Sequence, residues 1–312
     1  MRTKWKGFVF VLLVLLALVY AGGSYYFSSV LIASPTQSLA DGKAYMIELL
    51  GETNLPPPEE VAIPAGDVTL VGDYYDNPLD GRCAVLLLHG YSGTRYGAMQ
   101  YAPLYWDRGC DLLAYDARGH GASTPAYHTF GYYEKLDGQA AFNWLVDRAG
   151  LQPSQVGVTG VSYGAATALQ MAPLIPNAAF VLADSSYQDM YTITAYQAVQ
   201  MFGSWVKLFV PGAIFFAQQR ADFKVDEVSP LTAVTQTTIP ILLVHAKADA
   251  YTAATHSEAI FAQSNPATTR LEITDWGAGH GGSITVDYDA FAQLVDTFLT
   301  ELVPGFGLSS GR

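Results

Sequence analysis

The 312-residue sequence predicts an α/β fold, a mostly parallel sheet with helices on both faces. Two observations carry this. Short, continuous apolar runs recur along the chain, each bounded by Gly, Pro, Asp or Ser, as strands buried on both faces require. Helix-length segments separate them, and strand alternating with helix builds parallel sheets whose ligands gather at the carboxyl ends of the strands.

Taken in order, the chain opens with Arg2, Lys4 and Lys6. An uncharged run follows from Gly7 to Ala40 with its apolar heart at Phe8 to Ala21. About 20 apolar residues in a helix span a bilayer. Trp5 at one end and Tyr20, Tyr25 and Tyr26 at the other match interfacial aromatic belts, and the cationic end stays cytoplasmic. Residues 1–34 are therefore read as a membrane anchor with the body of the protein outside. The alternative is a signal peptide cleaved before Gly22, after Val19-Tyr20-Ala21. Residues 35–59, with Pro56-Pro57-Pro58, read as an extended juxtamembrane linker, and the folded domain as residues 60–302 with a tail at 303–312.

Within that domain, strands are expected at Val68 to Tyr75, Cys83 to Leu88, Asp111 to Tyr115, Val156 to Thr159, Ala179 to Ala183, Ile239 to Val244 and Arg270 to Thr274. The segment Tyr133 to Ala149 reads as a helix whose stripe is Leu136, Ala140, Ala141, Trp144 and Leu145. The long interval after Ala183 implies a helical insertion at 185–235, broken near Gly203 and Pro211-Gly212. Its aromatic residues, among them Tyr187, Tyr191, Tyr196, Phe202, Trp205, Phe209, Phe215 and Phe216, either pack a small core of their own or line a substrate pocket as a lid.

Composition narrows the function. Half of the residues are hydrophobic and 14% are charged, which suits a globular domain. A net charge of −12 opposes nucleic acid, whose binding needs a basic face. No metal cluster, phosphate loop or dinucleotide fingerprint occurs, so no cofactor is implied. Two cysteines are too few for a disulfide scaffold and wrongly spaced for zinc.

The chemistry centres on Gly160-Val161-Ser162-Tyr163-Gly164, which follows one strand and opens a helix-prone segment. A serine in such a strained turn needs glycine neighbours so that backbone can pass close by. Its hydroxyl needs a base within hydrogen-bond reach and a third group to orient that base. His280, in the glycine-rich loop 277–282, is the candidate base. Asp249, beyond the strand ending at Val244, is the favoured acid, with Asp275 and Asp287 as rivals. The oxyanion requires backbone N–H donors. Tyr163 should supply one and Tyr91, in the turn His89-Gly90-Tyr91-Ser92-Gly93, the other. His89 reads as structural, and Asp116 and Arg118 as a loop brace that satisfies backbone groups.

His89-Gly90, Asp116-Ala117-Arg118-Gly119-His120-Gly121, Gly160-x-Ser162-x-Gly164, Asp249 and Gly279-His280 together resemble the α/β-hydrolase superfamily over about residues 60 to 302. With its anchor and short lid, the chain is most similar to the membrane-tethered bacterial lysophospholipase-like or serine-aminopeptidase-like branch. One departure is Ala246, where the family has glycine before the acid. The resemblance implies hydrolysis through an acyl-serine, and that the strands opened by Cys83 and Cys110 are parallel neighbours. The two cysteines are then either a disulfide or a pair of buried thiols. Three functions follow: an esterase or thioesterase acting on a small-molecule or lipid-like acyl substrate; an aminopeptidase or amidase using Asp222, Asp226 or Glu227 as an anchor for an amine; and a non-catalytic binding module on the same scaffold.

Overall fold

The computed structural model describes residues 2–51, 55–79 and 81–307. Its strands are β1 (Glu59–Ala65), β2 (Val68–Tyr75), β3 (Ala84–Leu88), β4 (Asp111–Tyr115), β5 (Val156–Val161), β6 (Val181–Asp184), β7 (Ile241–Ala246) and β8 (Thr269–Thr274). The helices are α1 (Arg2–Ile32), α2 (Leu39–Leu50), α3 (Ala102–Trp106), α4 (Glu134–Ala149), α5 (Tyr163–Met171), α6 (Met190–Phe202), α7 (Val210–Ala221), α8 (Pro230–Ala233), α9 (Thr255–Gln263), α10 (Ser283–Val286) and α11 (Tyr288–Leu302). The strands form one sheet in the order β1-β2-β4-β3-β5-β6-β7-β8, antiparallel at β1, β2 and β4 and parallel from β4 through β8.

The side chains of a strand alternate between faces, and both faces here are apolar. Ala84, Leu86 and Leu88 of β3 join the core with Ala141, Phe142 and Leu145 of α4 and Ala165, Ala168 and Leu169 of α5. Val85 and Leu87 point the other way, into a core with Leu104 of α3 and Phe291, Val295 and Phe298 of α11. These runs are continuous because neither face meets water. The sequence reading missed β1, whose exposed and buried residues alternate as at a sheet edge and dilute any apolar run.

Three expectations need correction. Residues 35–59 are not an extended linker throughout, since α2 occupies Leu39–Leu50, with Ser38 accepting the Asp41 N–H as its N-cap, and packs Met46 into the sheet's core. Its signal, a short apolar helix next to a polyproline stretch, is weak. The apolar stripe of α4 is rotated from the expected one. Leu136 is 49% exposed, whereas Asp137 and Gly138 are buried, because Asp137 pairs with Arg118 and Gly138 lies where a Cβ would press on the Met171 sulfur. The insertion breaks at Gly203 and again just before Pro211-Gly212, as expected, since these two lie in the first turn of α7, where a proline's missing N–H costs nothing. Finally, the tail is not wholly outside the domain: Phe306 is buried against Phe180, while residues 308–312 lie outside the described residues.

Helix α1 is long and apolar enough to cross a membrane, and over its first half most side chains are exposed. Its last turns behave differently. They pack along α7 in a seam that depends on two glycines: a Cβ on Gly23 would sit 2.5 Å from the Phe209 ring, and one on Gly212 2.2 Å from Ser24 Oγ. The seam is then tied by Arg220, whose Nη1 donates to Ser28 Oγ and Ser29 Oγ at 2.7 Å each and whose guanidinium lies over the Tyr25 ring.

Candidate active site

The turn after β5 places Ser162 at φ 55°, ψ −114°, a conformation an L-residue adopts only when its surroundings enforce it. The two glycines permit it. A Cβ on Gly160 would lie 2.4 Å from the Gly164 backbone, and one on Gly164 2.3 Å from the Leu88 carbonyl oxygen. Side chains at either position would drive β3, β5 and α5 apart. Ser162 is 7% exposed, and its Oγ faces a cavity of about 800 Å³ that also contains His280 and Tyr91.

His280 arrives from the loop after β8. Its Nε2 is 2.7 Å from Ser162 Oγ and its Nδ1 is 2.6 Å from Asp249 Oδ2. The carboxylate can only accept, so Nδ1 carries a proton and Nε2 is free to take that of the serine. Asp249 Oδ1 accepts the N–H groups of Tyr251 and Thr252 at 2.8 Å each, and Oδ2 also lies 3.2 Å from His245 Nε2. Burial pushes this carboxyl's pKa up, but the hydrogen bonds from His245 and His280 outweigh it and hold the group well below the usual carboxylate range. Ala246 imposes no obstacle, for it is the last residue of β7, paired with Thr274, and the chain turns only beyond it.

The rival acids have other work. Asp275 pairs with Lys247 at the surface at 2.7 Å. Asp287 accepts the Ala290 N–H as the N-cap of α11. Tyr163 is the first residue of α5, where backbone N–H groups have no intrahelical acceptor. Its ring is buried, and its hydroxyl donates to Glu134 Oε1 at 2.7 Å, fixing the start of the helix. The ring of Tyr91 lies 5.6 Å from it.

His89 braces the turn that carries Tyr91: its Nδ1 donates to the Gly90 carbonyl at 2.8 Å and its Nε2 accepts the Ala117 N–H at 3.0 Å. Asp116 satisfies backbone groups, accepting the N–H of Arg95 and of Ala122. Arg118 does not. Its guanidinium pairs with the Asp137 carboxylate at 2.6 and 2.8 Å, a fork the sequence reading missed because the partner stands 19 residues away.

Other residues at the site carried no sequence signal. The Tyr251 ring centroid is 4.9 Å from that of His280. Pro35, Gln37 and Tyr45 line the same cavity from the N-terminal segment, which is held there by three hydrogen bonds: Gln37 N to Ser92 O at 2.8 Å, Tyr91 Oη to Leu31 O at 2.9 Å and His128 N to Ile32 O at 2.9 Å. Asp222, Asp226 and Glu227 are elsewhere. Asp222 caps α7, Glu227 pairs with Lys224 at the surface, and none of the three lines the cavity around Ser162.

A protein-family model described as the alpha/beta hydrolase fold matches residues 84–220. The chain is 29% identical over 233 residues to protein YqkD of Bacillus subtilis (strain 168), covering 73% of this chain and 75% of that one. Among solved structures, the esterase Pf2001 of Pyrococcus furiosus superposes with a TM-score of 0.63 at 25% identity over 78% of this chain and 92% of its own. The acylaminoacyl peptidase of Pyrococcus horikoshii gives a TM-score of 0.59 at 15% identity, over 80% of this chain and 42% of that one, a likeness of fold alone.

Proposed function

We propose that this chain, a member of the α/β-hydrolase superfamily, is a serine hydrolase that cleaves carboxylic esters or thioesters through an acyl-serine. The observation that carries the reading is the unbroken chain from Ser162 Oγ through His280 to Asp249, opening on a cavity. Ser162 Oγ attacks the carbonyl carbon as its proton passes to His280 Nε2. Asp249 stabilises the imidazolium without taking a proton itself. The N–H groups of Tyr91 and Tyr163 receive the oxyanion. The tetrahedral intermediate collapses as Nε2 returns the proton to the leaving alcohol or thiol. Water, activated by the same nitrogen, then attacks the acyl-serine and releases the acid.

That Pf2001 is an esterase agrees with this chemistry. An aminopeptidase is less well supported, because among the described residues no carboxylate lines the cavity to hold a substrate amine. A non-catalytic role has no support from so complete a set of bonded partners. The mostly apolar lid in front of the site favours a lipid-like acyl group. Helix α1, read as a retained anchor, puts the domain outside the cytoplasm, where the Cys83–Cys110 disulfide is at home.

A fluorophosphonate probe should label Ser162, and Ser162→Ala should lose both labelling and ester hydrolysis. Labelling that survives in Ser162→Ala would overturn the assignment of the nucleophile.

A further inference from the structure

Two cavities adjoin beside the turn that carries Tyr91, one of them lined by the candidate nucleophile, and they differ in chemistry. The one containing Ser162 and His280 is broad and lined in part by Gln37, Gln100 and Thr285. A second, of about 350 Å³, lies under the lid and is lined by Met201, Phe202 and Phe209 on one side and by Phe27, Val30 and Leu31 of α1 on the other. Pro35, Tyr91, Ser92 and Tyr251 line both, so the apolar space adjoins the Ser162 cavity at the turn that carries Tyr91.

We propose that the second cavity is the acyl-chain site and that the end of the membrane helix is one of its walls, so that α1 helps to set chain-length specificity. This rests on the acyl-serine reading above. Three observations support it. Helix α1 is not loosely tethered: the Gly23 and Gly212 contacts and the Arg220 bonds fix it against α7, and Leu31 and Ile32 bond through their carbonyls to Tyr91 and His128. The wall it contributes is apolar, and each methylene of an acyl chain buried against it adds to binding. The size also fits. At roughly 30 Å³ for a group the size of a water, the space holds on the order of ten carbons. The broader compartment, with its amide and hydroxyl side chains, is left for the alcohol or thiol portion.

Around the outer rim the lid exposes Met201, Trp205 and Leu208, at 65%, 60% and 66%. They stand beside the helix that enters the membrane, since the Phe27 ring packs within 6.2 Å of that of Trp205. An acyl chain entering from the bilayer would meet these residues first.

The test uses the full-length protein in detergent micelles and alkyl fluorophosphonates bearing a terminal diazirine, with alkyl chains of about two and about ten carbons. After reaction at Ser162 and irradiation, the long probe should crosslink to peptides containing residues 27–34 and 201–210. Crosslinks confined to the broad compartment, at Tyr45 or Thr285, would overturn the proposal while leaving Ser162 as the nucleophile. An unlabelled Ser162 would instead refute the serine-hydrolase reading, and the acyl site with it. As an independent readout, Leu31→Trp and the lid variant Ala198→Trp should each lower the ratio of kcat/KM for a decanoyl over an acetyl ester at least tenfold. Ser162 labelling by the short probe shows that each variant is folded. An unchanged ratio in folded variants of both walls would count decisively against α1 as a wall.

Discussion

Asp249, Asp275 and Asp287 all lie within 31 residues of His280, and the partners of each decide which can serve it. Asp249 alone turns an oxygen to the imidazole. Its remaining acceptor sites are filled by two backbone N–H groups and by His245, so it cannot rotate away. An amide in its place would favour the tautomer with the proton on the wrong nitrogen. Asp249→Asn should therefore keep the fold while lowering kcat by roughly 10³- to 10⁴-fold, measured on a soluble ester beside circular dichroism. Near-normal turnover in Asp249→Asn with loss in Asp275→Asn would reassign the acid. Much of this site was legible because its signals are local: Gly-x-Ser-x-Gly needs only five residues, and a polar residue just past an apolar run marks a strand end. Arg118 was misread for the opposite reason. Its carboxylate partner sits on a helix whose rotation depends on packing, and the apolar residues of α4 suggested the wrong face.

At the scale of elements, β3 and β4 start side by side, and Cys83 and Cys110 precede them with Cα atoms 4.6 Å apart, joined by a disulfide. Of the two readings left open by the sequence, the structure has the bond. It closes a loop spanning a sequence separation of 27 residues, for which the chain-entropy estimate is about 3 to 4 kcal/mol. Cys83→Ser should lower the unfolding free energy by about that amount. Denatured, unreduced protein recovered from the membrane should show no titratable thiol, and two thiols per chain would refute the bond. The parallel strands could be read from sequence within two or three residues at their ends, because burial on both faces writes an unbroken apolar run. Strand β1 and helix α2 could not be. One lies at the sheet's edge and the other owes its burial to a surface that only the assembled domain supplies.

For the whole molecule, stability in acid should depend on His89, His120 and His128, buried together beneath the Tyr91 turn with the last two rings stacked 4.3 Å apart. Burial, reinforced by the neighbouring histidines, lowers the pKa of His120 from 6.5 to about 2. The folded state thus refuses a proton that the unfolded chain accepts below pH 6.5, and the stability present above that pH is lost as pH falls. Each such histidine costs up to about 1.4 kcal/mol per pH unit. Asp137, raised to about 6 by burial, works in the opposite direction. A His120→Phe variant cancels that background: between pH 7 and 5.5 it should lose less stability than the wild type, by up to about 1.4 kcal/mol per pH unit in urea titrations. Parallel curves would show that His120 is not the group responsible. The role of α1 was the least legible feature, since an apolar run announces a membrane but not what its far end touches. That end also sets a distance. At 1.5 Å per residue the 31 residues of α1 measure about 46 Å, against a hydrocarbon layer of about 30 Å. The cationic stretch from Arg2 to Lys6 takes up about 8 Å of the surplus on the near side, and the remaining ~8 Å is clamped to the lid and to the turn beside Ser162. With α1 as a retained anchor, the domain would stand on a stiff mast and not swing on a leash. On the reading of α1 as a retained anchor, the candidate nucleophile Ser162 would ride at a constant height above the bilayer, and bonds held much higher or lower than that plane would be out of reach however abundant they are.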